Sequence, residues 1–347
     1  MSLWKQILAR SLITPRDLSA FFEIDEAALK NVVDHYPMRI NPYYFSLIRE
    51  KNDPIYRQCV PDAREITDKK GMEDPLNEEG FSPIPGLTHR YPDRVLFLVS
   101  AQCATYCRFC NRKRKVGSSS MVSKKTIREG ISYIKGHKKV RDVLLSGGDP
   151  FLLENHALHS ILTELRSIDH VEIIRIGTRI PCTLPQRITQ PLTEMLKKFH
   201  PLYVHTHFNH PDEITPEASL ACERLADAGI PLGCQIVLLK EINDDLATMK
   251  DLVQKLLKIR VRPYYLFQAD LARGTSHFWT SVDTGLKIMS GIQGHTSGIC
   301  IPHFAVDLPG GGGKVPLLPK YVVRRNKDSL VIKNYQGHKY RYPLYHT

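Results

Sequence analysis

From Arg94 onward short apolar runs alternate with amphipathic stretches of helical period, and this alternation restricts the possible folds more than any other feature. VLFLVS is followed by KKTIREGISYIKGHKK, then by VRDVLLS, HALHSILTELRSI and VEIIRIG. Strands separated by helix-length crossovers pair in parallel, so the pattern predicts βαβ units on a parallel sheet. The rhythm continues through PLTEMLKKFH, PLYVHTHF, EASLACERLADAGI, CQIVLLK, LATMKDLVQKLLKI and RPYYLFQ. That makes about six β/α units by pattern-counting. A partial or full parallel barrel fits the count. A doubly wound sheet is the alternative, but the first strand lacks the Gly-rich turn and following acid of a dinucleotide-binding fold.

The flanks differ in character. Residues 1–88 predict a helical arm in which Thr14-Pro15 opens one helix and Asp25 another, before the turn-rich Ser82-Pro-Ile-Pro-Gly86. The arm carries no obvious chemistry. Residues 89–300 form the barrel segment, and residues 301–347 hold a glycine-lysine loop followed by alternating apolar residues around a Gln-Gly turn, a terminal β-hairpin. No apolar run is long enough to span a membrane, and the N-terminus mixes Lys5, Arg10 and Arg16 into an amphipathic pattern, so a cytoplasmic protein is expected. The net charge of +12 suits nucleic acid, an anionic membrane surface, or phosphorylated and carboxylated ligands, and does not choose among them.

Of eight cysteines, only Cys103, Cys107 and Cys110 cluster. In a large chain without a secretory signal, a tight cluster points to metal or redox chemistry; the scattered cysteines are expected in the core. The cluster directly follows VLFLVS, on the loop at the C-terminal end of the first parallel strand, where barrel active sites lie. Three thiolates suit a four-iron cubane with one iron left open. A zinc knuckle wants a fourth ligand at short spacing, and the next cysteine is Cys182. After the second strand, Ser146-Gly147-Gly148-Asp149-Pro reads either as a plain strand-to-helix turn or as a place where a ligand approaches the backbone and Asp149 accepts its hydrogen bonds.

Asp307-Leu-Pro-Gly-Gly-Gly-Gly-Lys314 sits between the strand-like IPHFAV and the terminal hairpin. A flexible linker is one reading. A sharply bent loop presenting one amine is the other, and a partly desolvated Lys there is a candidate for Schiff-base chemistry with pyridoxal phosphate. The spacing of a P-loop is absent. His205 and His207 alternate on one strand and, with His210, could chelate a metal. The run Arg112-Lys-Arg-Lys115 reads as a solvated loop or a nucleic-acid patch.

CATYCRFC matches the CxxxCxxC motif of the radical SAM superfamily, which the chain resembles. From arm to hairpin, through PGLTHRYPDRVL, SGGDP, RIGTRIP, LPQRIT, HTHFNHPDEIT, RPYY and HFAVDLPGGGGK, it resembles the lysine 2,3-aminomutases. The resemblance implies a partial parallel (β/α)6-type barrel and a [4Fe-4S] cluster on Cys103, Cys107 and Cys110 whose open iron chelates S-adenosyl-L-methionine. Gly147, Gly148 and Asp149 then receive the methionine amino group, and His207 and Gln235 lie beside S-adenosylmethionine. Lys314 carries pyridoxal 5′-phosphate and Arg94 its phosphate. Arg112 holds the substrate α-carboxylate, and Asp270 and Asp307 hold the ε-ammonium. Glutamate 2,3-aminomutases have non-acidic residues at the last two places, so two acids argue for L-lysine, since each unpaired buried charge would cost roughly 3–5 kcal/mol.

The reaction implied begins when a 5′-deoxyadenosyl radical takes hydrogen from C3 of lysine. The nitrogen then moves from C2 to C3, and the hydrogen returns. The partners expected are L-lysine and an electron donor such as flavodoxin or ferredoxin, with no membrane and no nucleic acid; a homo-oligomer stays open. Clostridial-type members carry further cysteines for zinc, whereas this chain has none after Cys300, so structural zinc is not expected. The chain also resembles the branch that makes (R)-β-lysine for elongation factor P modification. Rivals of other classes are a radical SAM enzyme acting on RNA, favoured by the charge, and a non-catalytic iron–sulfur or zinc nucleic-acid module.

Overall fold

The computed structural model describes residues 1–118 and 122–345. The arm comes first, as α1 (Leu3–Ala9), α2 (Pro15–Ser19), α3 (Glu26–His35), α4 (Pro42–Phe45), α5 (Pro54–Cys59) and α6 (Arg64–Thr67). Thr14 and Asp17 form a capping box on α2, and Asp25 accepts from the Ala28 N–H at 2.9 Å on α3. Both are the starts the sequence predicts, because a first turn needs a side-chain acceptor for its free N–H groups.

The sheet then begins with β1 (Leu87–Tyr91) and β2 (Arg94–Ser100). Six helix-and-strand pairs follow: α7 (Lys124–Gly136) and β3 (Asp142–Gly147), then α8 (Asn155–Arg166) and β4 (Ile173–Gly177). A short α9 (Ile180–Thr183) precedes α10 (Gln190–Leu196) and β5 (Leu202–Thr206), and α11 (Pro216–Asp227) precedes β6 (Leu232–Leu238). Last come α12 (Leu246–Lys258) with β7 (Arg262–Gln268), and α13 (Val282–Ile292) with β8 (His303–Leu308) and β9 (Gly313–Pro316). The strands lie in sequential order β1 to β9; β2 through β8 pair in parallel, and β1 and β9 are antiparallel edges.

The two edges curl toward each other. The Lys314 N–H on β9 donates to the Tyr91 hydroxyl on β1 at 3.0 Å, and Arg90 on β1 meets Asp307 on β8 at 3.3 Å. Side chains rather than a backbone ladder thus bring the barrel close to closure. Helix α13 lies beyond the alternation read from sequence; Gly285 on its buried face lets it pack closely on β8, where a Cβ would lie 2.2 Å from the Phe304 ring. The expected terminal hairpin is present as β11 (Ser329–Lys333) and β12 (Lys339–Pro343), and β10 (Val322–Arg325) adds a third antiparallel strand. Cys59, Cys182, Cys222, Cys234 and Cys300 are free and buried, as core cysteines should be. No helix among the described residues is long and apolar enough to cross a membrane.

The arm does more than cover the barrel. The loop carrying the three cysteines leaves β2 and is held from outside by arm residues. The Arg39 carbonyl accepts from the Tyr106 N–H and the Gln58 carbonyl from the Arg108 N–H, each at 2.9 Å. Asn41 donates to the Ala104 carbonyl and Thr105 hydroxyl. Arg108, between Cys107 and Phe109, is buried and forks onto Glu65 at 2.9 and 2.5 Å, while Lys113 reaches the same carboxylate at 2.7 Å. Burial would raise the Glu65 pKa, but the two cations hold it below the usual range; burial pushes the Lys113 amine down to about 8 against the pull of Glu65. This corrects the view of the arm as chemically silent, since its Glu65 fixes the cysteine loop.

Removing that carboxylate leaves two buried cations unpaired. Glu65→Ala is therefore expected to lower the unfolding free energy by about 3–5 kcal/mol in denaturant titration of the apoprotein. A loss below about 1 kcal/mol would mean that the triad is no clamp.

Candidate active site

Strand alternation decides what faces the barrel lumen. Val143, Leu145, Ile174, Ile176, Val204, Cys234 and Ile236 are buried, whereas their neighbours Asp142, Leu144, Ser146, Arg175, Gly177, His205 and Gln235 line a cavity of about 620 Å³. A closed barrel normally fills this space with branched apolar side chains, and the polar set here leaves it open. The residues to which the family resemblance assigns roles line this one cavity: Cys103, Cys107, Cys110, Gly147, Gly148, Asp149, His207 and Gln235, with Arg94, Arg112, Asp270, Asp307 and Lys314.

At the thiol end, burial pushes the Cys103 thiol well up, with Asp149, Cys107 and Cys110 adding to it, and lifts Cys110 to about 11, with Cys107 next in effect. The three sulfurs therefore lie within electrostatic reach of one another. They are not drawn into ligand geometry, since among the described residues no three His, Cys, Asp or Glu side chains form a ready-made metal site. Three cysteines without a fourth ligand fit a cluster that keeps one iron open, and binding it would release the thiol protons.

The turn after β3 packs against the start of the cysteine loop. A Cβ at Gly147 would lie 2.1 Å from the Ser100 carbonyl oxygen and one at Gly148 2.4 Å from that of Gln102. The glycines thus permit a close approach of the chain to itself. Asp149 is buried and accepts from the Thr178 hydroxyl at 2.6 Å, the Arg179 N–H at 2.7 Å and the Phe151 N–H at 3.0 Å. Desolvation nevertheless raises its pKa to about 6.

His207 shares a 2.9 Å hydrogen bond with Asn209 Oδ1, and burial, then Arg179, lowers its pKa to about 3, so it is neutral at pH 7. Gln235 donates to the Tyr264 hydroxyl, which meets His205 Nδ1 at 3.2 Å. His210 turns elsewhere, accepting from the Asp212 N–H at 3.2 Å. The three histidines take separate partners and do not converge as a metal site.

At the amine end, antiparallel register sets Lys314 opposite Asp307, with Nζ 2.7 Å from Oδ2. Gly310, Gly311 and Gly313 have φ of 70°, 89° and 85°, so the run is a sharp turn that other residues would strain. Asp307 also receives Arg90. Asp270 is held by Asn111 Nδ2 at 2.6 Å; burial, then the nearby Asp307 charge, raises its pKa to about 6. Arg112 forks onto Glu78 at 2.8 and 2.5 Å. Arg94 pairs with Asp93 at 2.9 Å, stacks 3.9 Å over Tyr91, and is partly exposed at the rim.

Sequence reasoning missed Glu78, Arg90, Arg179 and Glu213. A signal existed for the first: the acidic Asp74, Glu78 and Glu79 answer the basic run that follows Cys110. Arg114 meets Asp74 at 3.2 Å and Lys115 meets Glu79 at 2.6 Å, so with Lys113 on Glu65 the run is paired rather than a nucleic-acid patch.

A partial parallel barrel with three cysteines on the loop after its first parallel strand defines a class. The radical SAM superfamily matches residues 97–253, and the family described as Lysine-2,3-aminomutase matches residues 289–345. The L-lysine 2,3-aminomutase of Methanococcus maripaludis is 53% identical over 322 residues, which is 91% of this chain and 74% of that protein. That of Clostridium subterminale is 48% identical, covering 96% of this chain and 82% of its own length. The glutamate 2,3-aminomutase of Clostridioides difficile is also 48% identical, covering 89% of this chain and 74% of its own length. The chain belongs to the lysine 2,3-aminomutase family of radical SAM isomerases.

Asp270 gives a test of the electrostatics. Its folded pKa lies above the unfolded value of 3.8, so the folded chain holds the proton more tightly and ionisation costs stability as pH rises through 6. Asp270→Asn keeps an acceptor for Asn111 without the charge. Its stability gain is expected to reach on the order of 2–3 kcal/mol at pH 8 and to be about 1 kcal/mol smaller at pH 5. Denaturant unfolding at the two pH values checks this, and a pH-independent change would refute it.

Proposed function

We propose that the chain is an L-lysine 2,3-aminomutase, interconverting L-α-lysine and β-lysine with S-adenosylmethionine at a [4Fe-4S] cluster and pyridoxal phosphate on Lys314. The observation that carries the substrate choice is the contact between the Lys314 ammonium and Asp307, with the half-buried Asp270 beside it. A lysine side chain already sits against the acids assigned to the substrate's ammonium. A glutamate side chain would set a third carboxylate against these two, and like charges in a buried site repel.

Bound pyridoxal phosphate supplies a delocalised ring on which the amino nitrogen can move, and the cluster with S-adenosylmethionine supplies the radical that starts the move. The chain's part is placement. Lys314 offers its amine to the first cofactor, and Arg94 offers charge to the phosphate from the rim. Arg112, whose guanidinium already holds a carboxylate in Glu78, is suited to a second one from the substrate. Enclosing both ends in one cavity keeps the reacting carbons near each other and excludes water. A flavodoxin- or ferredoxin-like donor supplies the electron.

Anaerobic incubation of the reconstituted protein with lysine, S-adenosylmethionine and a reductant is expected to yield β-lysine. Asp307→Asn should cut kcat/KM for lysine by about 30-fold or more, equivalent to ~2 kcal/mol for losing one half of a buried charge pair. In the parent protein kcat/KM should fall as pH drops through about 6, where Asp270 takes up a proton. Turnover of glutamate in place of lysine would contradict the assignment.

A further inference from the structure

Arg179 lies just beyond the end of β4 and carries no role in the chemistry above. Its side chain is 9% exposed and its partner Glu213 is fully buried. One arm of the guanidinium, NH2, is saturated: it donates to Glu213 Oε1 and Gln58 Oε1, both at 2.6 Å, and to the Tyr44 hydroxyl at 3.1 Å. The other arm, NH1, donates to Cys107 Sγ at 2.7 Å. Glu213 is itself fixed, its second oxygen accepting the N–H groups of Asn209 and His210 at 2.6 and 3.0 Å. The planar fork is therefore locked from behind, and its free edge has one direction in which to point. Among the described residues no other side chain hydrogen-bonds to any of the three clustered sulfurs. The main-chain N–H of the same residue holds Asp149, which ties the turn after β3 to the same point.

We propose that Arg179 is a positioning residue that anchors the Cys107 sulfur at the cavity wall and, through that hydrogen bond, raises the reduction potential of the cluster once the sulfur ligates it. A donor and a positive charge beside a ligand sulfur stabilise the extra negative charge of the reduced cluster, so the electron that starts the reaction enters more readily. The proposal rests on Cys103, Cys107 and Cys110 being the cluster ligands.

The test is a spectroscopic redox titration of anaerobically reconstituted parent protein, Arg179→Gln and Arg179→Lys, with iron content measured on each. Both variants are expected to be harder to reduce, Arg179→Gln by at least tenfold in the reduced-to-oxidised ratio at a fixed potential, which is 59 mV for one electron. Arg179→Lys keeps a charge for Glu213 but cannot span to the sulfur, so it should shift in the same direction by less. Loss of iron from variants whose apoprotein stays folded by circular dichroism also supports the positioning role. Full loading with an unchanged potential would overturn the proposal, as would unfolding of both apo variants, which would make Arg179 a purely structural residue. A parent protein that binds no cluster would instead sink the ligand assignment.

Discussion

One buried carboxylate, Glu65, shared by Arg108 and Lys113, is the charged anchor on which the cysteine loop is hung. Nine residues lie between Ser100 at the end of β2 and Cys110, and no regular secondary structure holds them. A loop of that kind is ordered by what it is pinned to, and Arg108 stands between its last two cysteines. Buried ion pairs contribute little net stability against an apolar alternative, but breaking one is costly, so they specify geometry more than they add stability. The Arg179–Glu213 pair does the same from the barrel side. The cysteines thus sit between two charged clamps, one built on the arm and one on the strands.

The second constraint is the polarity of the lumen. Parallel strands bury one set of side chains under helices and turn the other set inward. Asp142, Arg175, His205 and Gln235 on the inner set cannot pack as a dry core, and the resulting space joins the cysteines to the Asp270, Asp307 and Lys314 group. A radical generated at one end and an amine held at the other need such a common enclosure. The near-closure of β1 against β9 belongs to the same logic, since Tyr91 and Arg90 on one edge touch Lys314 and Asp307 on the other.

Much of this was legible in the sequence where the signal is local. Strand and helix periods located the barrel, and CATYCRFC and LPGGGGK each marked, within a few residues, a loop that lines the cavity. What was hidden is non-local. Glu65 lies 43 residues from Arg108 and Glu78 34 from Arg112, and no spacing rule connects them. The same holds for Arg179, which looks like any arginine near the end of a strand until Cys107, 72 residues away, is brought beside it. Gly147 and Gly148 were visible as glycines, but what they accommodate, the Ser100 and Gln102 carbonyls, could only be seen in three dimensions. Gly285 on α13 is a similar case, because Phe304 of another element fills the place of its side chain.

The central claim is that one cavity joins a thiol-held cluster to a two-acid site for the substrate's ammonium. A crystal structure grown anaerobically with S-adenosylmethionine, pyridoxal phosphate and lysine tests it most directly. Iron is expected on the sulfurs of Cys103, Cys107 and Cys110, and the ε-nitrogen of lysine within hydrogen-bond reach of both Asp270 and Asp307. A lysine bound with that nitrogen away from both carboxylates, or a cluster held by other residues, would contradict it.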